Sequence, residues 1–226
     1  STKPQSQWSD LLWMAWLKNS LYLDSTDKFQ DNFNKFHQKN SLQGHVLFAL
    51  SVIESQQQYP LMLKLINSLA EPLQNTEAIQ MQKAFALIEL KRFDRAENIL
   101  SHFEQSQNLQ SIKWYMKGRL MENRGDLAQA ASYLTTYYQA LPSFHSVNSL
   151  ANVLIKENRY NDVVSLAKEY IKGFPTDSST CLSLALKLAP THPKFALTLF
   201  KSEHVQWLIK HEAFVEITLV EIGSTC

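Results

Sequence analysis

Residues 114–142 read WYMKGRLMENRGDLAQAASYLTTYYQALP, and this stretch decides the fold. Two apolar segments with helical spacing lie on either side of a tight turn at Gly125. The small residues Gly118 and Ala130, one in each segment, let two helix backbones approach closely. Pro142 then ends the second segment, because proline donates no backbone hydrogen bond and clashes with the preceding helical turn. The stretch therefore predicts a pair of antiparallel helices.

This arrangement recurs along the chain at a nearly constant period of about 34 residues. A fixed period of this length is typical of helical repeats that stack side by side and bury a continuous core. A single helical bundle with accidental spacing is the alternative interpretation. The recurring positions form five columns: Leu50, Ala84, Gly118 and Ala151; Tyr59, Phe93, Leu127 and Tyr160; Met62, Ala96, Ala130 and Val163; Ile66, Leu100, Leu134 and Ala167; and Leu69, Phe103, Tyr137 and Tyr170.

The third repeat resembles the tetratricopeptide (TPR) pattern, in which Trp, Leu, Gly, Tyr, Ala, Phe, Ala and Pro occur at fixed offsets. Lys117 stands at the usual Leu position and Met121 at the usual Tyr position, and the fourth repeat ends at Pro175, which is equivalent to Pro142. The resemblance covers residues 43–175 and implies an all-α fold, a right-handed superhelical array of antiparallel helix pairs. The positions that carry it are Trp114, Gly118, Gly125, Asp126, Ala130, Leu134, Tyr137 and Pro142.

Helical caps are expected on both sides of the repeats, because an uncovered stacking face would favour association. We expect residues 1–42 to form an N-terminal helical cap or degenerate repeat, and residues 176–226 a C-terminal helical repeat or cap. A helix-start signal lies at 24–27, the stretch 190–193 breaks the helical pattern, and 205–222 predicts a final helix whose register is open. The residues that share predicted helix faces are Trp8, Leu11, Leu12, Ala15 and Trp16; Phe29, Phe33 and Phe36; and Leu182, Ala185, Leu186 and Ala189.

The sequence offers no residue pattern that is typical of a catalytic centre or a metal site. Cys181 and Cys226 are the only cysteines, and no HExxH, GxGxxG, P-loop or GxSxG motif occurs. His204 and His211 lie seven residues apart on a predicted helix, too far for a chelating pair. A nucleophilic Cys181 would need a histidine partner that the sequence does not identify. We therefore expect a protein that is not an enzyme and that holds no cofactor or metal.

The charge balance favours a protein partner over nucleic acid. The chain has 22 Lys and Arg against 21 Asp and Glu, a net charge of +1, whereas a nucleic-acid footprint usually shows a clustered basic excess. No apolar run reaches the roughly 18 residues that a membrane span needs. We expect a cytoplasmic protein. A periplasmic protein is the alternative, if an upstream signal or anchor preceded Ser1.

The expected binding site is the concave side of the array, which the resemblance assigns to the first helix of each repeat. On this side, the positions that have no packing role hold apolar residues in the second repeat, which form an apolar strip. In the third and fourth repeats they hold amide and cationic hydrogen-bond donors. This combination suits a peptide or helix with an apolar anchor and an acidic or acceptor group. The predicted partner-binding residues are Met81, Phe85, Ile88, Tyr115, Arg119, Asn148, Asn152 and Lys156.

These residues predict a protein–protein interaction scaffold that binds a peptide or helix of another protein in its groove. The expected setting is a bacterial secretion, pilus or envelope assembly system. The alternative is a helical-repeat regulatory domain of a larger bacterial protein, such as a transcription regulator. A second open alternative is that one of the protein's own terminal helices packs on the apolar strip. The carboxylate-clamp pattern of the TPR family, with Lys and Asn in the first of three repeats, is not reproduced.

Overall fold

The computed structural model describes residues 15, 16, 19, 26–39, 43–104, 106 and 109–201. Within these residues the chain forms α-helices and turns and no β-strand, so the predicted all-α class is confirmed. The contacts divide the chain into two compact units, residues 1–109 and 110–226. The predicted boundaries at 42 and 175 follow the repeat pattern and stay a prediction. Several predicted features lie outside the described residues: Trp8, Leu11, Leu12, the side chain of Phe36, the helix at 205–222, His204, His211 and Cys226.

The described part of unit 1 (residues 1–109) contains α1 (Thr26–Lys39), α2 (Gln43–Ser55), α3 (Tyr59–Ser68), α4 (Glu71–Gln74), α5 (Glu77–Glu89) and α6 (Phe93–His102). Neighbouring helices pack together: α1 on α2, α2 on α3, α3 on α5, and α5 on α6. Helix α1 begins within the predicted helix-start signal, and its Phe29 and Phe33 are buried as one apolar face.

The described part of unit 2 (residues 110–226) contains α7 (Gln110–Arg124), α8 (Leu127–Ala140), α9 (Phe144–Lys156), α10 (Tyr160–Gly173), α11 (Ser178–Leu188) and α12 (Pro193–Phe200). Pro142 and Pro175 each lie two residues beyond the end of a second helix, as the sequence predicted. New helices then begin at side-chain caps. Ser143 and Ser146 form a capping box at α9, and the Asp177 carboxylate accepts a hydrogen bond from the Thr180 backbone at α11.

The columns of the sequence repeat are the packing positions of the helix pairs. In three of the five columns the small or apolar side chains are buried in each pair, where they fill the space between the first and second helices. Three columns are buried throughout: Leu50, Ala84, Gly118 and Ala151; Met62, Ala96, Ala130 and Val163; and Ile66, Leu100, Leu134 and Ala167.

The first four helix pairs are α2–α3, α5–α6, α7–α8 and α9–α10. The turn inside each of them also repeats. A residue with positive φ ends the first helix at Gln57 (54°), Lys91 (58°), Gly125 (87°) and Asn158 (60°). The next backbone N–H then donates to a carbonyl five residues back; Arg92, for example, donates to Leu87 at 2.8 Å. This is the Schellman motif, which normally favours glycine at the positive-φ position. Only Gly125 of the four is a glycine, so residue type alone identifies one of these turns.

Helices α11 and α12 continue the repeat register as a fifth pair. Ala185 and Ala196 occupy the columns of Ala151 and Val163, and both are buried. The spacing between these two columns is one residue shorter in the fifth pair than in the earlier pairs. His192 N–H donates to the Leu188 carbonyl four residues back, where the earlier turns have a bond to the fifth residue back. The fifth pair therefore lacks the repeated turn, which hid its register in the sequence.

The third pair has its helices at especially close range. We expected Gly118 to meet Ala130 at the crossing. A Cβ atom at Gly118 would lie 2.7 Å from Cγ and 2.8 Å from Cδ2 of Leu134, and 3.5 Å from the Ala130 carbonyl oxygen. The close approach is present, but Leu134 makes the nearest contact. A real Cβ does not tolerate such distances, so glycine is required here unless Leu134 moves.

Candidate partner-binding face

In unit 1, the predicted apolar strip is part of the core. Met81, Phe85 and Ile88 are 2%, 6% and 0% exposed. The Phe85 ring meets the edge of the Tyr59 ring at 5.9 Å, so α5 is covered there by α3. The structure therefore gives these three side chains a packing role. Their contact with a partner stays a prediction.

In unit 2, a buried carboxylate joins two of the predicted residues across neighbouring helices. Glu122 of α7 accepts hydrogen bonds from Arg119 at 2.8 Å and from Lys156 of α9 at 2.5 Å. The Glu122 side chain is only 6% exposed, whereas that of Arg119 is 27% and that of Lys156 is 56% exposed. Glu122 therefore holds the two cations at adjacent places on one surface. No sequence pattern identifies Glu122 for this role.

Aromatic rings border the cations on α7 and α9. The Tyr115 ring lies 4.7 Å from the His145 ring in an edge-on arrangement, and 5.4 Å from the Tyr137 ring. Partial burial of the imidazole lowers the pKa of His145 below its ordinary value, and the nearby Arg119 guanidinium lowers it further. Neutral His145 therefore adds little charge to this surface at neutral pH.

The two predicted asparagines have different surroundings. Asn148 donates to the Phe144 carbonyl at 2.8 Å and accepts a 2.5 Å hydrogen bond from the Ser183 hydroxyl of α11. Its amide thus links α9 to α11. Asn152, one helical turn further along α9, is exposed. The structure therefore gives Asn148 a positioning role and leaves Asn152 as the amide that presents itself to solvent.

The fifth pair adds apolar residues to this surface that the sequence analysis did not include. Leu182 and Leu186 occupy the columns of Asn148 and Asn152, and both are half-buried. They had been assigned to a predicted helix face, without a binding role. We call the combined surface on α7, α9 and α11 the unit 2 face; it consists of Tyr115, Arg119, Glu122, His145, Asn148, Asn152, Lys156, Leu182 and Leu186.

Cys181 is buried, and that burial raises the pKa of its thiol, with the Asp177 carboxylate adding to the effect. A thiol with a raised pKa is a weak nucleophile at neutral pH. The described residues contain no group of three or more His, Cys, Asp or Glu side chains that could hold a metal ion. No described helix is long and apolar enough to cross a membrane.

The fold is supported by similarity to known structures, whereas no similarity to known sequences is found. No family model matches the chain, and no curated protein sequence matches it. The structure is similar to TTC0263, a thermophilic TPR protein of Thermus thermophilus, with a TM-score of 0.61 and 12% identity over 80% of this chain and 99% of that chain. It is also similar to the APC/C hetero-tetramer Cut9-Hcn1, with a TM-score of 0.56 and 12% identity. That match covers 93% of this chain and 42% of the other. The protein has a TPR-like helical-repeat fold.

Proposed function

We propose that this protein is a non-catalytic scaffold that binds a segment of another polypeptide on the unit 2 face. The observation that carries the proposal is the Arg119–Glu122–Lys156 bridge. Long cationic side chains on a surface normally sample many rotamers, and ordering them costs conformational entropy. Here Glu122 holds both cations in place before any ligand arrives, and this lowers the entropy lost on binding.

The chemistry of the face defines the partner segment. Arg119 and Lys156 suit a carboxylate, and the exposed Asn152 amide can both donate to and accept from a peptide backbone. Leu182 and Leu186 offer half-buried apolar surface one helix away. A helix or extended peptide with an acidic group beside an apolar anchor satisfies both parts.

The setting is part of the same proposal. A bacterial secretion, pilus or envelope assembly system supplies polypeptide partners of this kind, and a regulatory domain of a larger bacterial protein is the alternative. The Cut9-Hcn1 hetero-tetramer is a case of a similar fold assembled with a second protein, and it supports the general role. Met81, Phe85 and Ile88 of unit 1 remain candidate contacts for a partner, with Phe85→Ala as their test.

Site-specific photo-crosslinking in cells tests the proposal. A photoreactive phenylalanine derivative at Asn152 should trap a partner polypeptide, whereas the same group at Lys172 should not. Both positions are exposed, one on α9 and the other on α10, so they differ mainly in the surface they occupy. Cross-links from position 172 with none from position 152 would place the partner elsewhere.

With the trapped partner in hand, titration calorimetry measures the contributions of single residues. Arg119→Ala should weaken binding by about 1–3 kcal/mol, the range for an interface anchor. Lys156→Ala should weaken it by about 0.2–1 kcal/mol, as for an exposed ion pair. Lys172→Ala is the matched control, because Lys172 and Lys156 lie in the last turns of neighbouring helices. Equal affinities for all three variants would refute the assignment of the face.

A further inference from the structure

A cleft of about 370 Å³ lies between α5 and α6 of unit 1, and its lining shares no residue with the candidate contacts named above. One side of it is apolar, formed by Ile99 and Phe103. The remaining described lining is polar and contains a lysine and a histidine but no carboxylate: Asn75, Gln80, Lys83, Asn98 and His102. His102 is oriented by a 2.5 Å hydrogen bond between Nδ1 and the Asn98 carbonyl oxygen.

The cleft occupies a place that the other described repeats fill with their own side chains. Three of its lining positions, Gln80, Lys83 and Ile99, have equivalents at the repeat spacing in every other pair. In the first, fourth and fifth pairs these equivalents are small or apolar side chains, and all of them are buried: Val46, Ala49 and Leu65; Val147, Leu150 and Leu166; and Cys181, Leu184 and Leu199.

The third pair shows what fits this place when the central residue is a lysine. Trp114 and Tyr133 stack there, with ring centroids 5.9 Å apart and planes inclined by 20°. The Lys117 ammonium lies 5.6 Å from the Trp114 ring centroid and 5.9 Å from that of Tyr133. Lys117 is thus satisfied by aromatic rings of its own chain. The second pair keeps the lysine, as Lys83, but has Gln80 and Ile99 where the two rings would be.

We propose that this cleft binds a planar aromatic carboxylate, with its ring in the place that corresponds to Trp114 and its carboxylate at the Lys83 ammonium. A ring at this position packs against Ile99 and Phe103 and removes apolar surface from water. Lys83 supplies the opposite charge, and the amide groups of Asn75 and Asn98 supply further donors. The described lining contains no carboxylate.

Two sources could deliver this chemistry: a free aromatic acid, or the C-terminal aromatic residue of a polypeptide. Indole-3-acetate represents the first source and N-acetyltryptophan the second. We expect saturable binding of at least one probe to the whole protein, measured by ligand-observed NMR and calorimetry, and the tighter probe identifies the source. Indole-3-acetamide, which lacks the charge, should bind about tenfold or more weakly than indole-3-acetate. Absence of binding by both acids, or equal binding of the acetamide, overturns the proposal.

Two variants test the location. Lys83→Met keeps the length and apolar part of the side chain and should weaken binding of the acid by about tenfold or more. Gln80→Trp should abolish binding, because the new indole would occupy the place of the ligand ring, as Trp114 does in the third pair. The helical circular dichroism signal of this variant should be unchanged. Lys117→Met is the matched control, since Lys117 occupies the same column in unit 2, and it should bind like the wild type. Wild-type affinity in both Lys83→Met and Gln80→Trp refutes this site.

Discussion

Gly118→Ala should destabilise the protein, although alanine is a better helix former than glycine. The new Cβ would lie 2.7 Å from Cγ of Leu134, about 1 Å inside the optimal separation of two carbon atoms. Cγ is the branch point of a fully buried side chain, so it cannot swing away as the free end of a surface side chain can. The helices of the third pair must therefore separate, or Leu134 must leave its rotamer.

The size of the effect follows from two opposing contributions. Alanine in place of a helical glycine stabilises by about 0.5–1 kcal/mol. Overpacking of a filled core costs about 1–3 kcal/mol. We expect a net loss of roughly 1–2 kcal/mol, because the clash involves two atoms of Leu134 and both helices are tightly held. Gly118→Leu adds three more carbon atoms at the same place and should cost about 3 kcal/mol or more.

Leu134→Ala supplies the decisive control, because it removes both atoms that the new Cβ would meet. In the Leu134→Ala background, the sign should reverse, and Gly118→Ala should stabilise by about 0.5–1 kcal/mol. Urea unfolding followed by far-UV circular dichroism measures the four midpoints, and an unchanged m-value confirms that the same surface unfolds. A Gly118→Ala penalty of the same size in both backgrounds would show that Leu134 is not the obstacle. Wild-type stability of Gly118→Leu would contradict the close crossing itself.

Three further predictions concern unit 2 and the repeated turns. Arg119→Ala should raise the pKa of His145 in an NMR titration, yet leave it below the ordinary value because burial, the larger cause, remains; an unchanged pKa would contradict the electrostatic contact. Burial raises the pKa of the Asp177 carboxyl, but hydrogen bonds from hydroxyl and backbone groups together outweigh burial, so the pKa lies below its ordinary value. The ionised Asp177 therefore stabilises the fold above the unfolded-state pKa of about 3.9, and this contribution is lost as the pH falls through the lower folded-state pKa. The difference in unfolding free energy between wild type and Asp177→Asn should therefore shrink in acid. At the repeated turn, Lys91→Gly should leave the free energy of unfolding unchanged or raise it by up to about 1 kcal/mol. Gly125→Ala should lower it by roughly 1 kcal/mol. A Gly125→Ala variant more stable than Lys91→Gly would contradict the positive φ angles.

The fold was predictable because the packing columns depend on side-chain size, which the sequence displays directly. Gly118, Ala130 and Leu134 stand at equivalent positions to residues that are buried in the neighbouring pairs. The fifth pair was harder to recognise, because the spacing from Ala185 to Ala196 is one residue shorter than the equivalent spacing in the earlier pairs. With one residue deleted between the two helices, Ala185 and Ala196 fall in the columns of Ala151 and Val163.

The candidate site was predictable only in part, because burial depends on neighbours that a repeat pattern does not reveal. Phe85 occupies a column assigned to the groove, but the packing of α3 against α5 brings Tyr59 to it. Similarly, the amide of Asn148 bonds to Ser183 of α11, a packing role that the sequence does not display, and its contact with a peptide stays a prediction. Contacts of this kind join residues that are far apart in the sequence, and no local pattern encodes them.

The Glu122 bridge also affects how binding should respond to ionic strength. Two cations and one carboxylate leave a single net positive charge, so an approaching acidic segment encounters a largely neutralised surface. Long-range attraction and its screening by salt are then weak. For the proposed partner, selectivity should come from the fixed positions of the two cations, which favour a carboxylate of the right placement over a merely acidic segment. We expect such a surface to attract polyanions less strongly than a freely cationic groove does.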